Sequence, residues 1–337
     1  MKRLLQPFFF CLALLTASTS GAQDIHFSQF YETPLFRNPA LAGINNADVR
    51  VQTVYRTQWT SVANAYKTAS ANAEYKMPVG NGDNFATLGL QMFYDRAGTT
   101  DLTSTQVLPA LNFHKSVSAE RNTYVSVGFM GGLVQRRIDR SKMTTNSQYE
   151  GYGDGESAIN AAYQYFDGSV GISLNSDFGA NPANSFILGI AYHHINRPNS
   201  SFFADGNIEM APKYVYTGAL KLGVTETSDM TFHLDHTRQG AYVETIGGLL
   251  YSLKLGDDYE NPLYTLSGGA FLRWKDAFIP TIKLDYRPFS VGLSYDVNVS
   301  PLKSSSGGRG GFELSLTYNG FLNRDNSSLN AVHCPRF

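Results

Sequence analysis

The sequence predicts an all-β chain, a transmembrane outer-membrane β-barrel of about 14 antiparallel strands. Three observations predict it. The recurring unit is a segment of period two, as where Ala86, Leu88, Leu90, Met92 and Tyr94 alternate with Thr87, Gly89, Gln91, Phe93 and Asp95. Aromatic residues gather at the ends of such segments, and the connections alternate in length along the chain. Successive strand side chains point to opposite faces, so each segment carries one apolar face and one small or polar face. No segment sustains the i, i+3, i+4 spacing of a helix.

The first element is an address. Lys2 and Arg3 precede a short apolar core, Phe8 to Leu15, and then small residues from Ser18 to Ala22. This is a signal peptide over residues 1–22, cleaved after Ala22. Its core is too short to span a bilayer as a helix, and no later stretch reaches the ~18 apolar residues that a spanning helix needs. Spanning strands need only ~9–11 residues and stay open. Cys11 lies inside the leader, so Cys334 is the cysteine of the exported chain, either a free thiol near the tail or half of an intermolecular disulfide.

Residues 23–47 form a periplasmic N-terminal segment, 48–319 the barrel and 320–337 a periplasmic C-terminal tail. Strands start near Val49, Lys67, Phe85, Thr103, Thr123, Tyr165, Ser185, Lys213, Met230, Ala241, Leu263, Ala277, Ser290 and Gly311. Turn-rich stretches such as Val79 to Asn84 and Arg287-Pro288 separate them. A turn at Asp167-Gly168, with Ile159 to Tyr165 as an extra strand, would give fifteen. The register of the sixth and seventh strands, across Asn175 to Ser185, stays open.

A soluble sandwich also solvates one face, so the polar positions Arg50, Gln52, Arg56, His233, Asp235, Lys283 and Asp285 discriminate weakly. Aromatics at Tyr55, Tyr75, Tyr94, Tyr124, Tyr192, Tyr214, Tyr264, Trp274, Tyr286, Tyr295 and Tyr318 fit the girdles at the two membrane interfaces. Loop rhythm decides. With the N-terminus in the periplasm, the even-numbered connections are short, and the long ones (Arg136 to Gln164, Asn196 to Pro212, Pro301 to Gly310) face outward, as in outer-membrane barrels. An open sheet edge in hydrocarbon leaves backbone groups unpaired at several kcal/mol each, so the first and last strands must pair. The last strand, Arg309 to Leu316, resembles the assembly signal of bacterial outer-membrane barrels.

Composition removes other classes. Lys plus Arg (27) nearly balances Asp plus Glu (28), which gives no footprint for nucleic acid. An aromatic content of 13% argues against disorder. There is no Gly-x-Ser-x-Gly elbow, Walker loop or His-Glu-x-x-His, so no enzyme, cofactor or metal centre is expected. His233 and Asp235 share a strand face from which His236 points away, too few ligands for a metal. Asp154 and Glu156 in a Gly-rich loop lack the carboxylate density of a calcium site. Ser294 and Ser315 have nothing to place them in a triad. Tyr149, Tyr152, Phe202 and Phe203 on the outer loops suit protein contacts or loop packing equally.

The ends carry a resemblance. The segment His26-Phe27-Ser28-Gln29, the pair Phe30-Tyr31 and Asn38-Pro39-Ala40-Leu41-Ala42-Gly43 resemble the opening of the PorP/SprF family of type IX secretion system membrane proteins. Tyr55-Arg56-Thr57-Gln58-Trp59, Tyr66-Lys67-Thr68, His194-Ile195-Asn196-Arg197-Pro198 and Cys334-Pro335-Arg336-Phe337 are similar to further family segments. The resemblance implies an outer-membrane barrel of Bacteroidota-type bacteria working with type IX export and gliding. It implies as partners a secreted surface adhesin with a type B C-terminal domain, a periplasmic peptidoglycan-linked anchoring protein and outer-membrane lipid.

Pro34 and Pro39 are expected to keep the leading segment extended, and Gly43 to permit a bend. Phe27, Phe30, Tyr31, Leu35 and Phe36 are poor tenants of bulk periplasm, so the segment should tuck against the lumen or the periplasmic rim. There Arg50, Arg56 and Gln58 could bond its backbone or Asp24. It is either a packed lead-in or a plug and docking surface. On the second reading His26, Phe27, Ser28, Gln29, Asn38, Pro39, Arg56, Gln58 and Trp59 are the candidate partner-binding residues. The function expected is anchoring or helping to export a surface protein, with a porin-like passive channel as the alternative.

Overall fold

The computed structural model describes residues 25–58, 66–80, 83–152, 159–203, 206–256, 262–300 and 308–322. The strands are β1 (Val49–Gln58), β2 (Tyr66–Pro78), β3 (Phe85–Ala97), β4 (Leu102–Ser118), β5 (Thr123–Arg137), β6 (Ala162–Asp177) and β7 (Ser185–His193). They continue as β8 (Lys213–Thr225), β9 (Ser228–Gln239), β10 (Tyr242–Leu255), β11 (Tyr264–Arg273), β12 (Ala277–Tyr286), β13 (Phe289–Asn298) and β14 (Arg309–Gly320). Each begins within three residues of the position read from the sequence. They form one closed antiparallel barrel in which β1 pairs with both β2 and β14.

The period-two pattern maps onto the wall. Along β5, Val125, Val127, Phe129 and Leu133 face outward and are exposed, while Tyr124, Ser126, Met130 and Val134 face inward and are buried. The outward row continues around the barrel with Leu88, Met92, Leu111, Ile172, Leu188, Leu234, Ile282 and Leu316. Apolar surface on this scale needs lipid as its solvent. No helix among the described residues is long and apolar enough to cross a membrane.

Two readings that the sequence left open close, and one expectation changes. Asp167 and Gly168 make no turn: β6 runs straight through them, pairing Asp167 with Gly132 and Gly168 with Gly131, so the strand count is fourteen. Asp167 points inward and takes the His194 ring at 2.8 Å, which gives its carboxylate a partner mid-strand. Ile159 instead bridges to Phe203 in the next outer loop. The register of β6 with β7 is continuous to Asp177–Ser185, so Asn175 to Ser185 is a strand end and a turn. Tyr124 belongs to no girdle, because its strand parity turns it inward onto Phe85.

Short turns join the strands at the end where β1 starts and β14 finishes. The long connections lie at the opposite end, where the β5–β6 and β7–β8 loops pack together through Tyr163 on Phe202 and the Asn160 amide on the Phe202 carbonyl. Tyr149 and Tyr152 stay exposed above them.

Candidate functional site

The lumen is occupied by the chain's own lead-in. Residues 25–47 run inside the barrel, and almost every side chain from Phe27 to Ala42 is buried. The segment is not extended. It is a 3₁₀ turn (Phe30–Glu32), one α-helical turn (Pro34–Arg37) and a second 3₁₀ turn (Pro39–Leu41). The prolines open the second and third of these, where a helix start has no use for the missing N–H and the ring pre-sets φ. The Asn38 side chain then accepts the Ala40 amide at 2.8 Å and caps the last turn. The expectation of an extended segment gave proline its strand-breaking role and overlooked its helix-starting one.

Two anchor regions hold this plug. The first lies on β1, β11, β13 and β14, toward the outer end. Arg56 on β1 sends one guanidinium nitrogen to Glu313 on β14 at 2.5 Å and another to Asp296 on β13 at 2.8 Å. Arg273 on β11 joins Asp296 at 3.2 Å. The Ser28 hydroxyl sits between the guanidiniums, accepting from Arg56 at 2.7 Å and Arg273 at 2.6 Å and donating to Asp296 at 2.5 Å. The backbone amides of Ser28 and Gln29 donate to the two Glu313 oxygens at 2.6 and 2.8 Å. The Gln29 side-chain oxygen accepts from Ser315 at 2.7 Å. His26 lies 3.5 Å from Glu244 and 3.4 Å from Arg56. The Gln58 amide lies against the Arg56 guanidinium. Phe27 packs edge-on against Phe36 and Phe93, with Val54 behind.

The second anchor is on the opposite wall and works through glycine. Asn38 donates to the Ile172 carbonyl at 3.1 Å. A Cβ on Gly171 would lie 1.9 Å from its side-chain oxygen, and one on Gly128 2.4 Å from the Pro39 backbone. The inward faces of β5 and β6 are hollowed where Asn38 and Pro39 seat. Between the anchors, Arg37 makes a two-pronged pair with Asp235 at 2.5 and 2.6 Å. At the exit toward β1, Glu74 accepts from the Gly43 amide at 2.7 Å and from Arg50 at 2.8 Å.

Thus His26, Ser28, Gln29, Arg56 and Gln58 come together in one cluster, Phe27 flanks it, and Asn38 and Pro39 form a separate seat. Trp59 and Asp24 lie outside the described residues, as do the leader, Asp154, Glu156 and Cys334. Arg50 turns to Glu74, and the lead-in's backbone is met by Glu313. Sequence reasoning missed Glu313, Asp296, Arg273, Glu244 and the glycine hollow. The inward parity of Glu313 in β14 was its one visible signal; its pairing needs the barrel closed. Asp235 is committed to Arg37, Ser315 to Gln29, and His236 faces away to Thr245 at 2.8 Å.

Below the plug a cup of about 1490 Å³ opens toward the short-turn end. The plug is its roof, through Tyr31, Glu32, Pro34 and Leu41, and five turns form its rim, with Glu120, Asn181, Glu226, Pro262 and Arg287 among them. Tyr31 packs in a three-ring cluster, near-parallel to the His233 and Phe271 rings at 5.1 and 5.2 Å. Glu32 accepts from Gln52 at 2.9 Å and pairs with Lys283 at 2.7 Å. Burial pushes the Glu32 carboxyl up, but Lys283 and Arg50 outweigh it and hold the group below its usual value. Around the cup Asp229 lies between Lys221 and Lys254, so the lining charges are largely matched.

A closed barrel with an apolar exterior, a filled lumen and a cup at its short-turn end defines an internally plugged outer-membrane protein. The family described as type IX secretion system membrane protein PorP/SprF matches residues 19–318, and the chain belongs to that family. The outer membrane is its location, and its family is one of secretion-system membrane proteins. Solved barrels are similar in fold only. The monoaromatic hydrocarbon channel CymD is 10% identical, with 88% of this chain and 95% of that chain covered, at a TM-score of 0.49. The toluene transporter TodX of P. putida is 11% identical over 87% and 95%, at 0.49. A Pseudomonas aeruginosa FadL homologue is 10% identical over 86% and 94%, at 0.44. No curated protein matches the sequence.

Proposed function

We propose that this chain is a non-enzymatic docking barrel of the type IX machinery. It receives a segment of a periplasmic anchoring protein in the cup, and through that complex helps export or retain a surface protein with a type B C-terminal domain, in support of gliding. The observation that carries the reading is the cup under a fixed roof. At about 1490 Å³ it exceeds the ~300–1,000 Å³ of small-molecule sites, and it suits a polypeptide segment. On this reading His26, Phe27, Ser28, Gln29, Asn38, Pro39, Arg56 and Gln58 serve the partner by fixing the plug, whose underside the partner meets. A porin-like passive channel is disfavoured by the buried plug.

The test is site-specific crosslinking in cells. A photoreactive residue at Asn181 or Glu226 on the cup rim should capture one periplasmic protein, identified by mass spectrometry after mild detergent extraction. The same probe at Leu188, on the lipid face, should not. Capture of the same protein from both positions, or of none from the rim, would count against the cup as the docking site.

A further inference from the structure

The outer face of the barrel carries a cationic row that neither the plug nor the cup uses. Strand register sets Lys67 of β2 opposite Arg96 of β3, Arg96 opposite Thr103 of β4, and Thr103 opposite Arg137 of β5. Strand parity turns all four outward, and the three cations are exposed. Two residues nearer the bilayer on the same strands come Tyr94, Thr105 and Gln135, and the row after that is Met92, Val107 and Leu133, exposed and wholly apolar. The hydrocarbon boundary therefore runs just below Tyr94, with the cations at headgroup height. They lie at the long-loop end, in the outer leaflet.

The partners already present do not account for the row. Arg96 meets Asp101 at 2.7 Å, but Asp101 is shared with Lys142, which also lies 3.6 Å from Asp139. Among the described residues Lys67 and Arg137 make no ion pair. Like charges directly opposite on one sheet face repel, and Lys67 and Arg96 stand in that relation. An anion between them removes the repulsion. On β9, by contrast, Arg238 has no cation opposite it, its register neighbours being Tyr214 and Val243.

We infer that Lys67, Arg96 and Arg137 form a lipid-facing site for the phosphorylated headgroup of an outer-leaflet glycolipid, that is, lipopolysaccharide. Guanidinium groups hold phosphate in two-pronged contacts and a lysine adds a point charge. The row spans three strand spacings, about 14 Å, the scale of a phosphorylated disaccharide, and the acyl chains would descend over Met92, Val107 and Leu133.

The test uses the full-length protein extracted from outer membranes, with purified lipopolysaccharide as the probe and native mass spectrometry as the readout. Wild type should retain bound lipopolysaccharide. Lys67→Gln and Arg137→Gln, which break no ion pair in the described structure, should each weaken retention by roughly fivefold, and adding Arg96→Gln should abolish it. Arg238→Gln should retain it fully, and all variants should keep the wild-type heat shift on gels. Equal retention by the triple variant overturns the inference. So does displacement by phosphatidylglycerol or inorganic phosphate, at equal phosphate, as effective as that by lipopolysaccharide.

Discussion

Arg56 on the first strand and Glu313 on the last form a buried ion pair across the seam that closes the barrel, at 2.5 Å. The two oxygens of Glu313 also take the amides of Ser28 and Gln29. Closing the wall and seating the plug are therefore linked through one carboxylate. A charge removed from water is tolerable only when paired and fully hydrogen-bonded, and the plug supplies the bonds that the wall alone does not.

Glu313→Ala leaves Arg56 with Asp296 as its remaining carboxylate and strands the Ser28 and Gln29 amides in a buried site. Loss of one partner from a buried pair costs about 3–5 kcal/mol. The midpoint of the heat-dependent gel shift should fall, and the seam should open to cysteine labelling. Glu313→Gln should do less harm, because one oxygen still accepts an amide. A Glu313→Ala barrel with a wild-type midpoint would show the seam independent of the plug.

The glycine hollow makes a separate prediction. Gly171→Ala puts a methyl where the Asn38 oxygen sits, and overpacking of this kind costs about 1–3 kcal/mol. Cysteine placed at Ala42, buried in the wild type, should label faster in this variant. Gly268→Ala is the control, since a Cβ there meets nothing within 4 Å. Equal labelling in both variants would mean that the seat on β6 does not hold the segment.

The division between what the chain announced and what it hid follows from physics. Strand parity is local, so the wall, the strand starts near Val49 and Phe85 and the loop rhythm can be read residue by residue. The partners of Ser28 lie at Arg56, Arg273, Asp296 and Glu313, up to 285 positions away from this part of the plug. Only closure brings them together. Asn38 is a middle case. An Asn-Pro pair is a local turn signal, but the glycines that receive it resemble ordinary small residues of a strand. Tyr124 shows the limit of reading aromatics by type, for parity decides whether a ring meets lipid or lumen.

Acid should loosen the roof of the cup. Glu32 titrates below its usual value because Lys283 and Arg50 outweigh the cost of its burial. A depressed carboxyl stabilises the fold in full above its unfolded value of about 4.3, and that contribution drains away as pH falls through the lowered folded value. Labelling of a cysteine at Leu41 should therefore be flat from pH 7 to about 5 and rise at lower pH. Glu32→Gln should raise the neutral-pH labelling and remove most of the acid-dependent increment. An unchanged profile in Glu32→Gln would assign the acid response to another carboxylate.

The plug also sets what the barrel conducts. Eight strands leave room only for side chains, while 16–18 leave an aqueous channel, so a fourteen-stranded wall would be open without internal filling. Phe30, Leu35, Leu41 and Ile44 are buried within it, and Arg37 ties the segment to Asp235 on the far wall. In planar bilayers the wild type should pass little current, and deletion of residues 26–44 should give large steady openings. Because that deletion takes two amide hydrogen bonds from Glu313, a milder variant is needed beside it. Arg37→Ala leaves Asp235 buried and unpaired while sparing the seam, and should produce brief openings in an otherwise closed barrel. If the wild type conducts as freely as the deletion, the segment is a lining and not a stopper, and the passive-channel reading returns.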